Sequence, residues 1–349
     1  MAQPAATAPR AGRTALVLSG GGSRGAYQAG VIAALAAAHG LSDGQPLPYD
    51  VVCGTSIGAL NGYLIATAQY TRLRDIWYTL PSRNVSVIRA PFNKIPDQEA
   101  GVGTRLVAAL KLGRGFTTDL QGLLDARGVW DALAANVNPA DPVHLPLYVA
   151  TTNLTRGSAE IFKRSATTTP GVAKQRVDDA LLAGYDVHVV RDATDANLRQ
   201  ALFASAAIPL AFPPVMIEPA TGGAAEAFVD GGVTENVPIS IARRCCDTLN
   251  VLMVDPPTPD VEFNSKNMLE IAFNTFQTMQ RAMLEYQVRF AYAEHDLPLR
   301  SVSLIRPAKP LPGTFVEFSN SEHLLEAWQT GYEDGSKGWQ PFDPSQFTD

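Results

Sequence analysis

Near its start the chain twice runs from a short apolar segment through a glycine turn into a helical pattern. "TALVLSG" (14–20) leads through glycines into "AYQAGVIAALAAAHG" (26–40), and "YDVVCG" (49–54) leads into "IGALNGYLIATA" (57–68). Alternation of buried-type strand and helix predicts a parallel sheet covered by helices. Later segments keep the strand theme. "LPLYVATTNLTRG" (145–157), "EAFVDGGVTENVP" (226–238) and "TLNVLMVDPP" (248–257) each carry an apolar run ended by turn residues. "NLRQALFASAAIPLAFPPVMI" (197–217) starts as a helix and must break at its prolines. Between 71 and 145 the pattern loosens into irregular segments and short helices.

Within 262–296, Ala272, Phe276, Met279, Met283, Tyr286 and Phe290 recur at helical spacing. This stripe reads as one long helix packed on the main sheet; the alternative is a surface for a homo-oligomer or a membrane. A second amphipathic segment, 101–116, places Arg105, Lys111 and Arg114 beside Leu106 and Leu110. It reads as an ordinary surface helix, with an interfacial lid as the alternative.

A hydrophobic content of 46% and a charged content of 18% over 349 residues describe a chain with a large core. Net charge is −6, with no block of like charges, which speaks against nucleic acid as a partner. Cys53, Cys245 and Cys246 form no CxxC, and the five histidines form no HxxxH or HExxH, so no metal site is expected. The opening "MAQPAATAPRAGR" (1–13) lacks an apolar stretch and reads as a disordered tail, which points to the cytoplasm. With no apolar run long enough to span a bilayer, any membrane contact is expected to be peripheral, at its inner surface.

Three glycine-marked motifs carry the chemistry. Gly20, Gly21, Gly22, Ser23, Arg24 and Gly25 lie between the first strand and helix, where backbone N–H groups can cradle an anion. Their spacing also fits a dinucleotide fingerprint. That reading needs an acid at the end of the second strand, but Asp43 and Asp50 precede it, so no cofactor is expected. Gly54-Thr55-Ser56-Ile57-Gly58 is a G-x-S-x-G pentapeptide between strand and helix. Such a turn projects the Ser56 hydroxyl, while Gly54 and Gly58 spare the neighbouring segments a Cβ clash. Asp230-Gly231-Gly232 ends a strand with a carboxylate and two glycines that permit close approach to another loop.

Taken in this order, the three motifs resemble the patatin-like phospholipase family, as do "SAAIPLAFPPV" (205–215) and "DGGVTENVP" (230–238). The resemblance covers roughly residues 14–256. It implies a three-layer α/β/α sandwich with a largely parallel sheet, a hydrolase domain over 14–256 and a helical extension over 257–349. It further implies a catalytic dyad of Ser56 as nucleophile and Asp230 as base, with the Gly20–Gly25 loop as oxyanion hole. Arg24 would orient that loop or attract a phosphate, and Asn236 and Pro238 would hold the Asp230 loop. The substrate implied is a lipid or phospholipid ester. An α/β-hydrolase with a Ser-Asp-His triad is the rival, with His295 or His323 as the third member; a non-catalytic lipid-binding protein is another.

Overall fold

The computed structural model describes residues 12–83, 126–168, 190–220, 222–257, 275–280, 282, 283, 287, 299–313 and 317–342. The amphipathic segment 101–116, half of the stripe within 262–296 (Ala272, Tyr286 and Phe290) and His295 lie outside the described residues.

One mixed sheet runs through the molecule. β1 (Thr14–Leu18), β2 (Val51–Thr55), β3 (Leu147–Asn153), β4 (Ser158–Arg164), β5 (Val190–Asp192), β8 (Thr248–Leu252), β9 (Ser301–Ile305) and β10 (Gln340–Pro341) form its path, in the order β10-β9-β8-β1-β2-β3-β4-β5. β6 (Val215–Ile217) and β7 (Glu226–Asp230) pair with each other, and β7 with β3. Neighbours from β9 through β3 are parallel, as are β4 and β5; β3–β4, β3–β7, β6–β7 and β9–β10 are antiparallel.

Both faces of the sheet are covered, so its central strands read as continuous apolar runs. Leu16, Leu18, Val52, Leu147 and Val149 point into a core shared with α1 (Gly25–Ala38), α2 (Ile57–Ala66), α3 (Tyr70–Thr79), α4 (Arg127–Asn136) and α5 (Leu198–Ser205). Ala15, Val17, Val51, Cys53, Tyr148 and Ala150 face the opposite way, towards α6 (Ile239–Cys245). This is the expected three-layer sandwich. The strands and helices read at 14–68 stand where the alternation placed them, and α5 stops at Ser205, ahead of Pro209.

The C-terminal part is more than a helix. β9 and β10 extend the sheet, and α7 (Ser321–Lys337) lies on α1, where Tyr27 Oη donates to Asp334 Oδ2 at 3.0 Å. At the other end Arg13 is buried and the Gly12 N–H donates to Asp247 Oδ2 at 2.9 Å, which ties both residues to the fold ahead of β1.

At the edge of β3 lies a buried ionic cluster. Glu226 accepts from Arg156 Nε and Nη2 (2.9 and 2.7 Å), from Asn153 Nδ2 (2.9 Å) and from Arg191. Glu160, fully buried, accepts from Asn153 Nδ2 (2.9 Å) and Arg191 Nε (2.5 Å). The Arg191 guanidinium also sits 5.2 Å from the centroid of the Phe228 ring. The hydrogen bond from Arg156 is the main reason the Glu226 carboxyl is held down to about 2.

Candidate active site

The register of β3 explains how two motifs distant in sequence meet. One edge of β3 is occupied by β4 along its whole length. The other edge is shared by two strands. β2 pairs with it up to Thr55 opposite Ala150, and β7, running the opposite way, ends with Asp230 opposite Thr151. β2 and β7 therefore meet end to end on one strand. Ser56, the next residue after Thr55, is delivered to the Asp230 carboxyl.

Ser56 sits at φ 54°, ψ −126°, a backbone conformation that non-glycine residues rarely adopt and that costs of order 1–3 kcal/mol. It is 3% exposed and stands at the N-terminus of α2, whose positive end favours a developing anion. The glycines around it are required. A methyl on Gly54 would lie 2.4 Å from Gly58 O, and one on Gly58 would lie 2.5 Å from Ser19 O, so the turn closes only without Cβ atoms.

The strained turn is held by a residue that the sequence did not single out. The Ser56 N–H donates to Ser205 Oγ at 2.9 Å, and Ser205 Oγ donates to Ala150 O at 2.6 Å, all buried. Ser205→Ala would orphan both groups, and each orphan costs roughly 1–3 kcal/mol. We expect a stability loss of about 2 kcal/mol in urea unfolding, together with slower labelling of Ser56 by an electrophilic probe.

Asp230 is completely buried. Its Oδ1 accepts the Gly232 N–H at 2.7 Å, while Oδ2 has no partner of full hydrogen-bond geometry. Burial pushes the carboxyl up to about 7, and the nearby Ser56 hydroxyl and the Gly232 N–H pull it the other way. The Ser56 hydroxyl thus lies near enough to affect the carboxyl but is not locked to it, a loose contact of the kind that tightens when substrate binds. Gly231 packs where a methyl would meet Ala150 O at 2.2 Å, which seats the Asp230 turn on β3.

In the glycine loop three of the six amides are already spent. The Gly20 N–H donates to Asn236 O at 2.9 Å, the Arg24 N–H to Gly21 O at 3.2 Å, and the Gly25 N–H turns back to Gly22 O and Ser23 O. The N–H groups of Gly21 and Gly22 have no acceptor among the described residues. They are the loop's available donors, a narrower set than the whole Gly20–Gly25 stretch. Arg24 Nη1 pairs with Asp255 Oδ1 at 2.7 Å, which ties the loop to the segment after β8. Of the two roles expected for Arg24, this geometry favours orienting the loop.

The segment after Asp230 closes the site from the α6 side. Thr55 Oγ1 donates to Glu235 O at 2.9 Å, and the Glu235 N–H donates to Gly231 O at 2.7 Å. The Glu235 carboxylate accepts from Ser240 N and Oγ, both at 2.7 Å, and is pushed up to about 7 by burial. Gln280, from the C-terminal third, brings its side chain to Gly232. Asp255 and Gln280 belong to no motif; Ser205 and Glu235 lie within the segments 205–215 and 230–238, but only the tertiary fold shows what they hold.

The His323 ring has its partners elsewhere than at Ser56 and Asp230: it meets Glu317 Oε2 and Asn320 Nδ2, each at 3.0 Å. Among the described residues no cluster of His, Cys, Asp or Glu could hold a metal ion, and no helix is long and apolar enough to cross a membrane.

Fold and site together define an α/β/α protein with a serine on a strand–helix turn and a buried carboxyl beside it. The family model described as patatin-like phospholipase matches residues 16–243, and the chain belongs to the patatin-like phospholipase family. Over 230 residues it is 24% identical to patatin-like phospholipase domain-containing protein 7 of Rattus norvegicus and, equally, of Mus musculus. Those alignments cover 66% of this chain and 12% of each relative, so the chain matches only a small part of their length. The crystal structure of VipD from Legionella pneumophila aligns over 95% of this chain and 68% of that one, at 17% identity and a TM-score of 0.37.

Proposed function

We propose that the protein is a serine acyl hydrolase acting on lipid esters through a Ser56–Asp230 dyad, with a covalent acyl-enzyme on Ser56. The observation that carries this reading is the buried Asp230 carboxyl, raised to about 7, beside a serine held in a strained strand–helix turn. A serine hydroxyl is a weak nucleophile until a base takes its proton, and a carboxyl poised near neutrality is suited to do so.

In acylation Ser56 Oγ attacks the ester carbonyl while its proton passes to Asp230. The oxyanion is received by the Gly21 and Gly22 N–H groups, with α2 pointing its positive end at the same space. Collapse expels the alcohol, which takes the proton from Asp230. In deacylation a water repeats the sequence and restores Ser56. Partners in this reading are a lipid or phospholipid substrate and, peripherally, the membrane that holds it.

The test is a fluorophosphonate probe with peptide mass mapping. We expect a single adduct on Ser56, absent from Ser56→Ala and much slowed in Asp230→Asn. A protein that folds but shows no adduct at Ser56 would be a lipid-binding member of the family instead.

A further inference from the structure

Asn236 stands out by what it does not contact. It is 5% exposed, its Oδ1 is buried without a partner, and its side-chain amide makes no hydrogen bond to any described residue. An amide that offers two donors and an acceptor is costly to bury in this state. Its main chain is pinned, because Asn236 O accepts the Gly20 N–H.

The side chain points into the catalytic space. A methyl on Gly20 would lie 2.4 Å from Asn236 Oδ1 and 3.3 Å from Ser56 Cβ; one on Gly232 would lie 3.1 Å from Asn236 Oδ1 and 3.0 Å from Asp230 Oδ1. Oδ1 therefore lies between the glycine beside the nucleophile and the glycine beside the base. A native fold keeps an unpaired buried polar atom at such a place when a ligand or water completes it.

We propose that Asn236 is the acceptor that positions the hydrolytic water for deacylation, an assignment that rests on the acyl-enzyme reading above. The water has two O–H bonds. One proton goes to Asp230 as the water oxygen bonds to the acyl carbon; the other O–H is held by Asn236 Oδ1. The bond from acyl carbon to Ser56 Oγ then breaks, Oγ takes the proton back from Asp230, and the carboxylic acid leaves. In acylation no water is present, so Asn236 acts on the second half-reaction alone.

The experiment follows p-nitrophenyl butyrate turnover by stopped flow in wild type, Asn236→Ala and Asn236→Asp, with fluorophosphonate labelling, intact mass and thermal unfolding alongside. In Asn236→Ala we expect an undiminished burst of p-nitrophenol and labelling of Ser56 within about threefold of wild type. Steady-state turnover should fall roughly ten- to hundredfold, the size of a lost contact to a group in proton transfer. Intact mass should show accumulated butyryl-enzyme, and the melting temperature should be unchanged or raised, because an unpaired polar atom has been removed. Asn236→Asp, which keeps an acceptor oxygen in place, should deacylate faster than Asn236→Ala. Equal loss of labelling and turnover, a lowered melting temperature, failure to fold or unchanged turnover overturns the proposal. A wild type that does not label at Ser56 overturns the acyl-enzyme reading instead.

Discussion

Asp230→Asn is expected to lower kcat/KM for ester hydrolysis about a thousandfold, close to 4 kcal/mol of transition-state stabilisation. The amide can still accept the Gly232 N–H that Oδ1 accepts now, and it fills the same buried volume. What it cannot do is take the Ser56 proton. Stability should be unchanged or higher, since a buried ionisable group is replaced by a neutral one. The same residue sets the pH profile. The base works ionised, so wild-type kcat/KM should level off above about 7 and fall tenfold per unit below it. Glu235 titrates in the same range, but its carboxylate is engaged with Ser240 on α6. Glu235→Gln should keep the inflection, whereas any residual activity of Asp230→Asn should lack it. Rates measured from acid to alkaline pH on the three proteins would decide this; an inflection that moves with Glu235 would remove Asp230 as the titrating base.

Glu226→Ala is expected to be the most damaging change to stability away from the catalytic site, costing about 3 kcal/mol by urea unfolding. Glu226 collects hydrogen bonds from Arg156, Asn153 and Arg191. Truncation leaves Arg191, which is 17% exposed, with Glu160 alone. Removing one member of a buried ion cluster leaves the remaining charges short of an acceptor where water has little access, which costs more than the pair contributes. The acid limb carries the sign. The folded pKa of Glu226 is lowered, to about 2, so its contribution is present above the ordinary carboxyl range near 4.5 and is lost as pH falls towards 2. The wild-type stability curve should therefore slope more steeply than that of Glu226→Ala between those limits. Parallel slopes would show that the cluster does not govern acid unfolding.

The legible parts of this molecule are the local ones. Ser56 could be read because the strand, the pentapeptide and the helix are contiguous, and glycine is the residue type that allows such a turn to close. Asp230 could be read because Gly231 and Gly232 end an apolar strand abruptly. Their meeting could not be read, because it depends on where β2 stops and β7 ends along β3, a matter of register that no short window contains. Ser205 illustrates the same limit: it looks like one more small residue in an Ala-rich helix, yet it anchors the Ser56 amide. That the Gly20 N–H is not among the available donors of the glycine loop depends on its bond to Asn236 O, again a long-range contact. β9 escaped notice because a five-residue strand with an exposed Ser301 and a half-buried Ser303 shows only Val302, Leu304 and Ile305 as apolar positions.

The end-to-end meeting of β2 and β7 makes β3 a ruler. The last residues of β2 and β7, Thr55 and Asp230, are spaced by the rise between two adjacent residues of one strand, Ala150 and Thr151, and not by the chain that joins them. That chain can lengthen cheaply, since doubling a flexible connection adds only about 0.6 kcal/mol of closure entropy. The loops that join these strands and helices are thus free to vary in size and shape, while the point at which β2 and β7 meet stays fixed.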